Sequence, residues 1–98
     1  MVHVAYSHDR LKAICRHHGI RRVAFFGSVL RDDFGPDSDI DVLVEFEPNR
    51  QPGFSIVSIQ REFSDLFGGR RVDFVNPKYI SPFIQEEVLA TAEEIYAA

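Results

Sequence analysis

Two carboxylates separated by one residue are the feature of this 98-residue chain most able to do chemistry. They are Asp39 and Asp41, at the start of the segment Asp-Ile-Asp-Val-Leu-Val-Glu-Phe. Alternate residues of a β-strand project from one face, with Cα atoms roughly 6.5–7 Å apart. Oxygen donors without neighbouring Cys or His favour Mg²⁺ or Mn²⁺ over Zn²⁺. The pair predicts a site for a nucleotide-bound metal ion, because Mg²⁺ takes further ligands from phosphates and water.

A third acid stands in another apolar segment, residues 71–75. Asp73 lies there between Val72 and Phe74, and an ionised carboxylate is costly to bury in a sheet without a partner. If this strand lies beside the one that carries Asp39 and Asp41, the metal is that partner. Asp73 is therefore a candidate third ligand.

A Gly-Ser pair ends the predicted strand upstream of the two carboxylates. Gly27 allows close approach of the backbone at that point. The hydroxyl of Ser28, together with free N–H groups at the start of a helical turn, can hold phosphate oxygens. The pair predicts a phosphate-binding element.

Hydrophobic periodicity predicts the elements that must position these residues. Ser7 is a plausible N-cap of a first helix that runs to His18, and Gly19 ends it. The other predicted elements are a strand over 22–26, a helical turn at 29–31, strands over 39–46 and 71–75, a helix over 56–67, and a helix from Ser81-Pro82. The tail over 93–96 could continue that last helix or turn back as a short edge strand, and we favour the strand. The fold class is a two-layer α/β (α+β) domain over 1–98, with helices on one face of a small mixed sheet. Crossovers through helices require at least one parallel strand pair.

The net charge of −4 hides an uneven distribution. Residues 1–31 carry six basic groups and one acid, whereas residues 32–48 carry seven acids and no base. The mild overall acidity argues against a nucleic-acid-coating surface and against a polybasic membrane anchor. Of the acids in the dense run, only Asp39 and Asp41 are predicted ligands, and the others are predicted to lie on the surface.

Cysteine usage and hydropathy predict the compartment. Cys15 is the one cysteine, so it forms no internal disulfide, and a reducing cytoplasm fits best. The sequence shows no basic-then-apolar leader, and no apolar run approaches the ~20 residues that span a bilayer. We expect a soluble cytoplasmic protein that makes no membrane contact.

The motifs in this order and spacing resemble the nucleotidyltransferase superfamily that includes DNA polymerase beta. Gly27-Ser28, ten residues and then Asp39-Ile40-Asp41 match its Gly-Ser-x10-Asp-x-Asp signature. More narrowly, the chain resembles the MNT (minimal nucleotidyltransferase) proteins encoded beside HEPN-domain partners. The blocks that carry this resemblance are 25–28, Arg31, 37–44 and 69–75.

The resemblance implies transfer of a nucleoside monophosphate, AMP from ATP, to an acceptor hydroxyl with release of pyrophosphate. By position, Asp39 and Asp41 would bind two Mg²⁺ (or Mn²⁺) ions. Asp73 would bind one of these ions and orient or deprotonate the acceptor. Gly27 and Ser28 would hold the β- and γ-phosphates, and Arg31 would contact the triphosphate. In the best-understood MNT members, the acceptor is a tyrosine of a HEPN toxin, which makes the family type an antitoxin.

Two other functions stay open at this level. The chain could be a binding module that neutralises its toxin by occlusion, without catalysis. It could also transfer nucleotides to RNA or to a small molecule, although 98 residues leave no separate acceptor-binding domain. A partner chain is therefore expected to complete the acceptor site, in a homo- or hetero-oligomer.

Overall fold

Three α-helices, four strands and a short 3₁₀ helix (Gly53–Ser55) are the elements in the part of the chain that the computed structural model describes, residues 4–27, 35, 38–75 and 81–98. The helices are α1 (His8–His18), α2 (Ile56–Leu66) and α3 (Pro82–Thr91). The strands are β1 (Ile20–Phe26), β2 (Ile40–Phe46), β3 (Val72–Val75) and β4 (Glu93–Ala97). The predicted order of elements is confirmed, including the final strand. The helical turn predicted at 29–31 lies outside the described residues.

The strands form one mixed sheet in the order β3-β2-β1-β4. β1 pairs with β2 and with β4 in antiparallel fashion, and β2 pairs with β3 in parallel. The parallel pair is joined by the crossover through α2, as the order of elements predicted. The two strands that carry the candidate ligands are therefore direct neighbours.

Alternation along the internal strands separates the two faces of the sheet. Val23 and Phe25 of β1 are paired with Val44 and Val42 of β2, and all four side chains are buried. Helices α1 and α2 cover this face with their apolar stripes. The helix residues in this core are Leu11, Ile14, Cys15, Ile59, Phe63 and Leu66.

Helix α3 departs from this pattern. It begins where the sequence predicted, because the Ser81 hydroxyl accepts a hydrogen bond from the Phe83 N–H at 3.4 Å. The described residues of α3 contribute nothing to the core cluster, and Phe83 is 96% exposed. Apolar residues in the helix were therefore not sufficient evidence of burial. None of the described helices is long and apolar enough to cross a membrane.

Both ends of α1 are capped as the sequence predicted. The Ser7 hydroxyl accepts a hydrogen bond from the Arg10 N–H at 3.3 Å, and Gly19 adopts the left-handed conformation with φ 69°. The side chain of Arg50 crosses Gly19, and its Nη2 donates to the carbonyl of His17 at 2.9 Å. A cation on the last carbonyls of a helix is favourable because it opposes the negative end of the helix dipole.

The close packing of Arg50 on Gly19 yields a stability prediction. A Cβ at position 19 would lie 2.6 Å from the Cβ of Arg50 and would hold a left-handed φ. We expect Gly19→Ala to lower the free energy of unfolding by more than the ~1–2 kcal/mol of conformational strain alone. Gly69→Ala is the matched control, because Gly69 has φ 87° but no atom within 4 Å of its Cβ position. If urea denaturation shows the same loss in free energy of unfolding for both variants, the contact with Arg50 makes no contribution.

Burial of Cys15 yields a pH prediction. Its side chain is fully buried, and desolvation raises the pKa of the thiol from 9.0 to about 12. Above pH 9 the unfolded chain loses this proton while the folded chain keeps it. The free energy of unfolding should therefore fall by about 1.4 kcal/mol per pH unit from pH 9 towards pH 12.

Urea denaturation at several pH values, compared with Cys15→Ala, measures this contribution. The variant has no thiol to ionise, so its stability should depend less steeply on pH in this range, although removal of the buried sulfur lowers its overall stability. The same slope in both proteins would refute the assignment.

Candidate functional site

The register of the parallel pair places two of the predicted ligands side by side. Asp41 of β2 is the partner of Asp73 of β3, and adjacent strands lie about 4.8 Å apart. Asp41 lies between the buried Ile40 and Val42, and Asp73 lies between the buried Val72 and the partly buried Phe74, so both share the face opposite α1 and α2. Asp41 is half-buried and Asp73 is exposed.

The third predicted ligand, Asp39, lies directly before β2. Its neighbour Ile40 donates its N–H to the carbonyl of Arg71 at 2.9 Å, which begins the pairing between the two segments. Ser38 closes the turn ahead of it: its hydroxyl accepts a hydrogen bond from the Gly35 N–H, and its own N–H donates to the Gly35 carbonyl, both at 3.1 Å. Asp39 is thus held at one fixed end of the strand, two residues from Asp41.

Gly27 lies against the carboxylate of Asp41. It follows β1, whose last residue, Phe26, is the register partner of Asp41. The backbone of Gly27 has φ 72°, and a Cβ built on it would lie only 2.7 Å from Oδ2 of Asp41. The absence of a side chain at position 27 therefore leaves the space that the carboxylate occupies.

These residues fit a hard divalent cation by donor type. The donors are carboxylate oxygens on one face, and Gly27 leaves room beside one of them. Within residues 4–27, 35, 38–75 and 81–98, however, no three Asp, Glu, His or Cys side chains converge as a metal-binding group. The structure brings Asp41 and Asp73 together, whereas three-fold coordination by Asp39, Asp41 and Asp73 stays a prediction.

Comparison with known proteins places this arrangement in a family. A model of the nucleotidyltransferase domain matches residues 9–94. The chain belongs to the nucleotidyltransferase domain family. The matched range includes Gly27, Asp39, Asp41 and Asp73.

Several relatives resemble this nucleotidyltransferase domain over most of their own length. A candidate protein adenylyltransferase from Methanocaldococcus jannaschii is 33% identical over 89 residues, which cover 82% of this chain and 89% of the relative. The protein adenylyltransferase MntA from Thermococcus cleftensis is 32% identical over 78 residues, which cover 80% of this chain and 77% of the relative.

Solved structures share the fold of the nucleotidyltransferase domain. The structure of a candidate minimal nucleotidyltransferase is 35% identical, with a TM-score of 0.70 over 87% of this chain and 85% of that chain. A crystal structure of a toxin–antitoxin with AMP-PNP is 14% identical, with a TM-score of 0.64 over 94% of this chain and 74% of that chain. The second likeness shows the fold alone.

Two predicted phosphate-binding residues of the nucleotidyltransferase domain, Ser28 and Arg31, lie outside the described residues. Their roles stay predictions. Gly27 is described, and its position against Asp41 adds a steric reason for glycine that the motif alone did not supply. The phosphate contact that the motif predicts for Gly27 stays a prediction.

Arg70 is a residue of the site to which the sequence assigned no role. It is half-buried, and its Nη1 donates to the carbonyl of Ser38 at 3.4 Å, one residue before Asp39. Its own carbonyl accepts a hydrogen bond from the Ser64 hydroxyl at 2.6 Å, which fixes it to α2. A basic residue directly before an acid-bearing strand was the available signal. Arg70 thus holds the Ser38–Asp39 segment and brings positive charge to the acidic edge.

Proposed function

We propose that this nucleotidyltransferase domain is a protein adenylyltransferase that transfers AMP from ATP to a tyrosine hydroxyl of a HEPN-domain toxin and so acts as its antitoxin. The observation that carries the proposal is the juxtaposition of Asp41 and Asp73 on the face opposite α1 and α2, with Gly27 against Asp41. Paired carboxylates that can hold divalent cations suit a reaction in which charge on phosphate oxygens must be neutralised.

Each residue has a defined task in the proposed reaction. Asp39 and Asp41 would hold two Mg²⁺ (or Mn²⁺) ions, and Asp73 would hold one of them. Metal ions held there would supply Lewis acidity towards the attacking hydroxyl and charge neutralisation for the leaving pyrophosphate. Asp73 orients the acceptor hydroxyl and accepts its proton. Gly27 and Ser28 bind the β- and γ-phosphates.

The covalent change balances without a further reactant. The acceptor oxygen forms a bond to the α-phosphorus of ATP, and the bond from that phosphorus to the bridging oxygen of the β-phosphate breaks. Pyrophosphate leaves with the bonding electron pair, and the hydroxyl proton passes to the carboxylate. The products are an AMP–tyrosine ester and pyrophosphate.

Similar proteins support the choice of nucleotide and partner. Two relatives more than 30% identical are named protein adenylyltransferases, one of them a candidate. A structure of the same fold is a toxin–antitoxin with AMP-PNP, an analogue of ATP. Neither the HEPN partner nor a tyrosine acceptor follows from fold alone, so both belong to the proposal.

The test is a transfer assay on the purified chain with the protein encoded by its neighbouring gene, ATP and Mg²⁺. Label from [α-³²P]ATP should appear on the neighbour, and label from [γ-³²P]ATP should not, because only AMP is transferred. Replacing the labelled tyrosine by phenylalanine should abolish labelling. Normal binding of the neighbour without any labelled product would overturn the proposal.

A further inference from the structure

A groove runs between helix α1 and strand β4, on the sheet edge opposite β3. Two adjoining cavities of about 410 and 420 Å³ form it, and they share Lys12, Tyr96 and Ala97. The sheet order ends at β4, so its outer backbone edge has no partner strand among the described residues. An edge strand of this kind offers a row of N–H and C=O groups to another extended chain.

The helical wall of the groove is basic. His8, Lys12 and Arg16 lie four residues apart on one face of α1 and line the two cavities, and Arg50 joins them at the far end. Two acids also line the groove. Glu94 is neutralised by Arg22, with Nε and Oε1 2.7 Å apart, and Glu47 stands beside Arg50 at the far end. The wall that α1 presents to the groove is therefore positive, in a chain whose net charge is −4.

The spacing of the basic wall matches an extended chain. Residues four apart on a helix rise by about 6.0 Å, and alternate residues of a strand are separated by about 6.8 Å. A strand added to β4 would thus present alternate side chains to successive basic positions. Acidic side chains at alternate positions would meet Lys12 and Arg16 in turn.

One end of the groove lies near the candidate active site with Asp41 and Asp73. Glu93, the first residue of β4, comes directly before the groove residue Glu94 and pairs with Phe25, which in turn pairs with Val42, the neighbour of Asp41. Two strand spacings put the start of the groove about 10 Å from the acidic edge. Tyr6, two residues before α1, lies near the same end: burial raises the pKa of its hydroxyl, and the nearby charge of Glu93 raises it further.

We propose that this groove is a docking site for an extended segment of the partner protein with acidic residues at alternate positions, which adds to β4 as a fifth strand. Main-chain hydrogen bonds to β4 supply the register, and the basic wall of α1 selects the acidic sequence. The segment holds the partner beside the carboxylates. That consequence rests on the proposed function, whereas the binding itself does not.

Peptide binding by the full chain tests the groove without catalysis. The probe is a fluorescent peptide of about ten residues in which Glu alternates with Val or Thr. Anisotropy should show saturable binding that weakens with added salt. The same peptide with Lys in place of Glu should not bind, and neither should an N-methylated copy that lacks the donors for strand addition. Equal binding of the N-methylated copy would overturn the proposal.

Charge-reversal variants locate the site. Lys12→Glu combined with Arg16→Glu should weaken peptide binding at least about tenfold, whereas Arg10→Glu, on another face of the same helix, should leave it unchanged. If charge reversal disturbs α1, the milder double variant Lys12→Gln, Arg16→Gln removes the two charges without reversing them. No loss of affinity with either double variant refutes the assignment. So does preferential binding of single-stranded RNA, or a concentration-dependent homodimer that the charge reversals dissolve.

A second measurement separates this proposal from the function. In the labelling assay, the double variant should raise KM for the partner with kcat unchanged. Peptide binding without any labelling in the wild type would refute the function and keep the groove. Labelling with an unchanged KM would refute the docking role and keep the function.

Discussion

Transfer of AMP to the partner should fall by at least about 10³-fold in the double variant Asp39→Asn, Asp41→Asn, with the fold retained. Amides keep the shape of the carboxylates but remove the two charges that would hold the metal ions, and the loss of metal-assisted charge stabilisation is worth several kcal/mol of activation free energy. The measurement is the initial rate of label transfer from [α-³²P]ATP at saturating Mg²⁺.

Glu45→Gln is the matched control. Glu45 lies on the same strand and the same face as Asp41 but is paired with Arg22 at the far end of the sheet. The Glu45→Gln variant should transfer AMP at the wild-type rate. Thermal melts of both variants exclude unfolding as the cause. A double Asp variant that retains activity would overturn the assignment of these residues.

The same double variant separates catalysis from occlusion. If it no longer transfers AMP yet neutralises the toxin fully in cells, the binding-module alternative accounts for the antitoxin effect. If neutralisation is lost together with transfer while the partner still binds, catalysis is required.

Gly27→Ala should reduce AMP transfer by about 10²-fold and weaken Mn²⁺ binding. The new Cβ would lie 2.7 Å from Oδ2 of Asp41, so the carboxylate must rotate away or the backbone must shift. Displacement of a reacting or ligating group by about 1 Å is enough for losses of this size. Because alanine is strained at the left-handed φ, the substitution should also lower the free energy of unfolding by about 1–2 kcal/mol. Label transfer and a Mn²⁺ titration measure the two effects.

Gly68→Ala isolates the part of this effect that concerns the site. Gly68 has φ 78°, but no atom lies within 4 Å of its Cβ position. The control should therefore lose similar stability and keep full activity. If Gly27→Ala transfers AMP as fast as Gly68→Ala does, the contact with Asp41 has no functional importance.

The strands that carry the site could be predicted from the sequence because each has a local signal. Alternation over 39–46 and the apolar surroundings of Asp73 indicated two strands, and the crossover between them indicated a parallel pair. That the two strands are direct neighbours was not predicted; the role of Asp73 as a ligand was only made conditional on it. The pairing of Asp41 with Asp73 depends on sheet order, which no local pattern encodes.

Other features could not be predicted from the sequence because they depend on tertiary contacts. The approach of Gly27 to Asp41 requires the register of β1 on β2. Arg70 has a role only because its guanidinium extends to the carbonyl of Ser38. The exposure of Phe83 shows the same limit, since an apolar residue in a helix can as well face outwards as inwards.

The alternation of β2 has a consequence for folding as well as for chemistry. Ile40, Val42 and Val44 point into the core, so Asp39 and Asp41 must point away from it. A slip of one residue in strand pairing would exchange the two sets and bury the carboxylates against α1 and α2. Burying unpaired charges costs several kcal/mol. The acids at the edge therefore also select against misaligned strands, and replacing them by apolar residues should make alternative pairings of β2 accessible.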